Sequence, residues 1–159
     1  MRLAIDSLVA LMLAAVLTGV VLKSKTGGGE TAELNQVRSE VRRFQQQVML
    51  QAALEQVELS EGGFPKTVDP EWFHGDLPAN SLLDPATPWL EVASRSQLTM
   101  LHPPLRVATG EKTARFWYNP RLGLVRARVP AGISDSQAIR WYNQINDCDL
   151  ATLYDVDDE

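Results

Sequence analysis

The residue types able to do chemistry are few in this chain and lie far apart. The two histidines, His74 and His102, fall in proline-rich stretches with no ligand spacing around them, so neither a zinc site nor a paired general base is expected. Cys148 is the single cysteine, which excludes an intramolecular disulfide and argues against a thiolate zinc site. No glycine-rich phosphate loop follows a strand pattern, and no Gly-x-Ser-x-Gly elbow occurs. Asp147, Asp149, Asp155, Asp157 and Asp158 could gather a calcium ion with backbone oxygens, but they lack the spacing of an EF-hand loop. The expectation is a non-enzymatic protein with no catalytic residue, no metal, no cofactor and no small-molecule substrate. A tethered hydrolase would need acids converging in a cleft, which spacing alone does not supply.

One charged pair stands out for its setting. Asp6 lies near the start of the apolar run Leu3–Leu22, with Arg2 four residues earlier. On a helix the two share a face and can pair, and an acid near a helix N-terminus suits the macrodipole. Charged groups inside apolar helices are also candidates for assembly, with Asp6 neutralising a positive terminus on a neighbouring subunit. Arg2 and Asp6 are therefore the candidate assembly residues.

The elements that must position these groups follow from periodicity. Leu3–Leu22 would span about 30 Å as a helix, the thickness of a bilayer core. Only Asp6, Ser7, Thr18 and Gly19 interrupt it. Leu17-Thr18-Gly19 makes a poor cleavage site, so residues 1–23 are predicted to be a retained transmembrane anchor rather than a signal peptide. Lys23 and Lys25 lean toward a cytoplasmic C-terminal part. Residues 24–29, with Gly27-Gly28-Gly29, are predicted to form a flexible joint.

Residues 30–154 form the predicted domain. Leu34, Val37, Val41, Phe44 and Val48 recur at helical spacing, giving an amphipathic helix over 30–60 whose stripe packs on the chain's own sheet rather than in a coiled coil. Glu40, Arg42, Arg43 and Gln45–Gln47 read as its solvated face, and Gly62-Gly63 as its end. Residues 64–110 are too proline-rich for helix or central strand, yet Trp72, Phe73, Leu77, Leu82, Leu83, Trp89 and Leu90 predict an ordered coil packed on the domain, with a short strand over Leu90–Val92. Residues 113–129 read as a hairpin turning through Asn119–Gly123, with Arg126 and Arg128 on a solvated face. A short helix over 134–146, capped by Ser134, follows. The acidic tail 155–159 reads as solvated. The chain has 159 residues and a net charge of −5 with no basic block, so nucleic-acid binding is not expected.

The order of these elements resembles the type IV pilin and type II secretion pseudopilin family. Ile5-Asp6-Ser7-Leu8-Val9-Ala10-Leu11-Met12-Leu13 is similar to the family's acid within an apolar run, and counted from Arg2, Asp6 falls where its characteristic glutamate falls. Gly63-Phe64-Pro65 resembles its Gly-aromatic-Pro, and Tyr118-Asn119-Pro120-Arg121-Leu122-Gly123-Leu124-Val125 its Tyr-Asn-Pro-x-x-Gly-x-Val hairpin. The chain departs from the family in two places. Met1 precedes Arg2 without the Gly-ended leader, so leader processing is not expected, and Gly27–Gly29 interrupts what is usually one helix. The resemblance implies an α+β fold: a transmembrane helix, then an amphipathic helix packed on a small antiparallel sheet. It implies a single-pass protein of the cytoplasmic membrane with a periplasmic domain, a structural subunit of a secretion or surface-filament system. Its partners would be the lipid bilayer and copies of itself or other pilin-like subunits. The alternative is a monomeric anchored binding module with the same outer domain.

Overall fold

The computed structural model describes the backbone of residues 2–154, and the side chains of residues 28–154 other than Glu111. Helix α1 (Arg2–Leu54) is followed by β1 (Leu90–Val92), β2 (Val107–Ala108), β3 (Phe116–Asn119), β4 (Leu124–Ala127), β5 (Val129–Pro130) and helix α2 (Asp135–Asn146). The class is α+β. The chain divides into two compact units: Met1–Glu33, which contributes helix alone, and Leu34–Glu159, which holds every other element.

The predicted membrane anchor requires correction. Among the described residues, no helix is long and apolar enough to cross a membrane. The described part of α1 carries Glu30, Glu33, Arg38, Glu40, Arg42 and Arg43. Each such charge costs about 2.5–3.5 kcal/mol at the centre of an inserted helix. That finding contradicts the fold class with a transmembrane helix and the single-pass localisation in the cytoplasmic membrane with a periplasmic domain. The apolar side chains of Leu3–Leu22 lie outside the described residues, as does the tail 155–159.

Two further boundaries differ from expectation. Helix α1 continues through 24–29, where the sequence predicts a joint. It stops at Leu54 instead of residue 60, because Glu55 adopts a left-handed conformation at φ 52°. Gly62 and Gly63 belong instead to a turn clasped by an antiparallel bridge between Leu59 and Pro65. Ser60 N–H donates to Phe64 O at 2.7 Å and Gly63 N–H to Ser60 O at 3.0 Å. A helix reaching residue 60 would consume the residues that make this turn.

The sheet is not purely antiparallel. β3 and β4 form the expected antiparallel hairpin, with Phe116 opposite Ala127 and Asn119 opposite Leu124, but β1 lies parallel on the far side of β3. β2 and β5 make a separate parallel ladder. Parallel pairing needs a connection of a dozen or more residues, and the proline-rich segment between β1 and β3 supplies one.

All five residues of the α1 stripe are buried, together with Phe116, Tyr118, Val125, Ala127 and Val129 of the hairpin region and Ala138, Tyr142 and Ile145 of α2. Phe44 is the hub. Its ring meets Phe73 and Phe116 edge-on and stacks on Trp89 with centroids 5.2 Å apart. Phe73 and Trp89 come from the proline-rich coil, so the coil is held by aromatic anchors worth about 0.5–1.5 kcal/mol per pair beyond their burial.

Polar side chains fix the coil's backbone where no ladder can. Asn119 Nδ2 lies 3.2, 3.0 and 2.9 Å from the carbonyls of Gln97, Leu98 and Met100. Arg126 Nε donates to Leu101 O at 3.2 Å. Arg128 is 1% exposed, not on a solvated face. Its guanidinium donates to Leu105 O at 2.7 Å, to Ala114 O at 2.9 Å and to the Glu91 carboxylate at 2.8 Å. The Ser134 hydroxyl makes no cap bond to α2; its carbonyl receives the N–H groups of Gln137 and Ala138 instead.

Candidate functional site

The candidate site is the junction where the turn after α1 meets the tip of the hairpin. Asn119 is the last residue of β3, so the connection is residues 120–123. Its Oδ1 accepts from the N–H groups of Arg121 and Leu122 at 3.0 and 3.3 Å, shaping the turn from within. Gly123 closes it at φ 63°, a conformation that favours glycine.

Gly62 approaches this turn more closely than any side chain could. A Cβ there would stand 1.8 Å from Arg121 O, and one on Gly123 would stand 2.4 Å from the Phe64 ring. Ser60 Oγ donates to Pro120 O at 2.6 Å, and Tyr118 Oη to Pro65 O at 2.7 Å. Burial raises the Tyr118 phenol well above its ordinary pKa, so it remains a donor throughout the physiological range. The stretches Gly63-Phe64-Pro65 and Tyr118–Gly123, about fifty residues apart in sequence, are thus one packed unit.

The outer edge of β4 is sealed by two carboxamides. Gln45 of α1 accepts from Val125 N–H at 2.9 Å and donates to Gly123 O. Asn146 of α2 accepts from Ala127 N–H at 2.8 Å and donates to Ala127 O at 2.9 Å. Both imitate a neighbouring strand. The sequence reading places Gln45 on the solvated face, and its position next to the apolar stripe was the only signal against that.

Among the described residues, several of the remaining titratable groups are taken up in ion pairs. The side chains of Arg2 and Asp6 lie outside the described residues. Asp147 is bound by Arg38 and by Arg42, the latter through Nε at 3.1 Å and Nη2 at 3.0 Å. The hydrogen bond from Arg38, ahead of that from Arg42, holds its carboxyl below the ordinary aspartate range. Among the described residues, no three His, Cys, Asp or Glu side chains gather as a metal site; Asp155, Asp157 and Asp158 lie outside them. His102 Nδ1 is 3.2 Å from Tyr142 Oη, whereas His74 ends the short helical turn Pro70–Phe73. Burial raises the pKa of the half-buried Cys148 thiol, whose Sγ contacts Asn143 Oδ1 at 3.4 Å, the opposite of what a reactive thiolate needs.

No family model, no curated protein and no solved structure matches this chain.

Proposed function

We propose that this protein is a non-enzymatic structural subunit with a pilin-like α+β domain, working by assembly with copies of itself or with similar subunits. The observation that carries this reading is the junction described above. The two short motifs that resemble the pilin family are packed on one another through Phe64, Pro65, Tyr118 and Gly123. The burial of the Leu34–Val48 stripe of α1 within the domain core is also what the resemblance implies for an amphipathic helix packed on a small sheet. In this reading Asp6 pairs with a positive group on an adjacent subunit, Arg2 or a terminal amine, in the desolvated contact between helices. Such a pair is strongly felt when one partner is removed, because the other is left buried and uncompensated.

The test is the mass distribution of the purified full chain over a wide concentration range, by sedimentation. Assembly predicts species heavier than one chain that grow with concentration and shrink in Asp6→Ala. A monomer at every concentration would instead favour a binding module whose domain surface does the work.

A further inference from the structure

The side chain of Arg106 is 3% exposed, yet it lines an open cavity of about 270 Å³ whose other walls are Met100, Leu101, His102 and Leu150. Among the described residues no acid lines this cavity. Its surroundings are positive. Besides burial, the charges of Arg126, Arg106 and Arg128 act on the Tyr142 hydroxyl, and that hydroxyl stands 3.2 Å from Nδ1 of His102. Arg106 is fixed through its backbone, because its carbonyl receives the N–H of Val129 at 3.2 Å just ahead of β2.

The same guanidinium fixes where the chain goes next. Its Nη1 donates to the carbonyl of Thr152 at 3.4 Å. Leu153 is buried, and Thr152 Oγ1 donates to Tyr154 O at 2.6 Å. Residues 152–154 are thus anchored beside Arg106. The five that follow are Asp155-Val156-Asp157-Asp158-Glu159. Three residues of extended chain reach about 11 Å at most, so the Cα of Asp155 lies within that distance of the Cα of Thr152. A carboxylate is therefore kept close to Arg106 whichever way the segment runs, at a range comparable to the Debye length of about 10 Å at 0.1 M salt.

We propose that this cavity is the seat of the chain's own acidic segment. Asp155 enters it and pairs with Arg106, strapping residues 155–159 to the coil ahead of β2. A carboxylate is the acceptor a guanidinium favours, by charge and by its forked geometry. A pair in so enclosed a place is screened less by salt than one on the surface. The occupant is the segment of the same chain. A tether this short supplies an effective concentration in the millimolar range, which a second copy matches only when the protein itself is millimolar. The sequence reading leaves this segment solvated; the position of Arg106 at Thr152 gives it a partner. The strap goes beyond the assembly reading and does not depend on it.

The experiment is hydrogen exchange by NMR on the full chain, read at the Arg106 Nε–H and at the amides of Ala151–Tyr154. It compares the parent with Asp155→Asn/Asp157→Asn/Asp158→Asn and with the charge-keeping Asp155→Glu/Asp157→Glu/Asp158→Glu. Exchange should be at least threefold faster in the asparagine variant, and the glutamate variant should recover most of the protection. The Nε–H signals of the exposed Arg95 and Arg140 should not move, and unchanged exchange at Phe116 and Val125 checks that the core is intact. The difference should survive a tenfold dilution. Equal rates in the parent and the asparagine variant overturn the proposal, and so does a glutamate variant as fast as the asparagine one. A difference that vanishes on dilution places a second copy's segment in the cavity and overturns the strap as well. None of these outcomes bears on the sedimentation test of assembly.

Discussion

The carboxamide of Gln45 closes the edge of β4, with its Oε1 2.9 Å from the N–H of Val125 and its Nε2 on the carbonyl of Gly123. A helix side chain thus completes a sheet. Val125 is fully buried, so removing the amide strands its N–H away from water. Gln45→Ala should cost about 1–3 kcal/mol, the range for an unsatisfied buried group. Gln45→Glu should cost part of that, since a carboxylate accepts from Val125 but repels the Gly123 carbonyl. Urea denaturation measures both, and hydrogen exchange at Val125 should quicken selectively.

Gly62 and Gly123 are required by contact and not only by flexibility. A Cβ on Gly62 would overlap the Arg121 carbonyl, whereas one on Gly132 would meet nothing within 4 Å. Gly62→Ala should therefore lower stability by more than about 2 kcal/mol, the scale of overpacking and forced backbone shifts. Gly132→Ala should stay within about 0.5 kcal/mol of the parent. Thermal unfolding of the pair separates the two cases.

Arg128 joins three segments through one buried guanidinium. Arg128→Lys keeps the charge but cannot reach three acceptors in a planar fork. It should destabilise by about 1–3 kcal/mol, the range for a buried acceptor left without its donor. The proline-rich coil around Leu105 should become the first site of proteolysis, seen by mass spectrometry of limited digests.

Asp147 gives a small acid-side dependence. Its folded carboxyl titrates below the ordinary value because Arg38 and then Arg42 bond it. Its stabilisation is therefore present above the unfolded pKa of about 4 and lost as pH falls through the folded value. The side chain is 41% exposed, so solvent screening holds the effect to about 0.5 kcal/mol. Denaturant midpoints of Asp147→Asn and the parent should differ at pH 7 and converge at acid pH.

Much of the domain could be read from its residues, and the misreadings share a cause. The α1 stripe, the hairpin and α2 are local patterns set by period and turn chemistry, and the coil's order follows from Phe73 and Trp89 reaching Phe44. What period cannot show is polarity used inward. Gln45, Asn146 and Arg128 look like surface residues until the sheet edge and the coil's carbonyls that need them are in place. The parallel partner of β3 was invisible for a similar reason, since β1 meets β3 only after the coil has folded back. The end of α1 was misplaced because Glu55 takes the left-handed conformation while the nearby glycines serve the turn against Arg121.

The central claim is assembly, and it is tested most directly by crosslinking in intact cells, comparing the native chain with Asp6→Ala. The account predicts a ladder of oligomers, or defined partners, that is lost in Asp6→Ala while the domain keeps its native hydrogen-exchange pattern. A single monomer band for the native chain would contradict it.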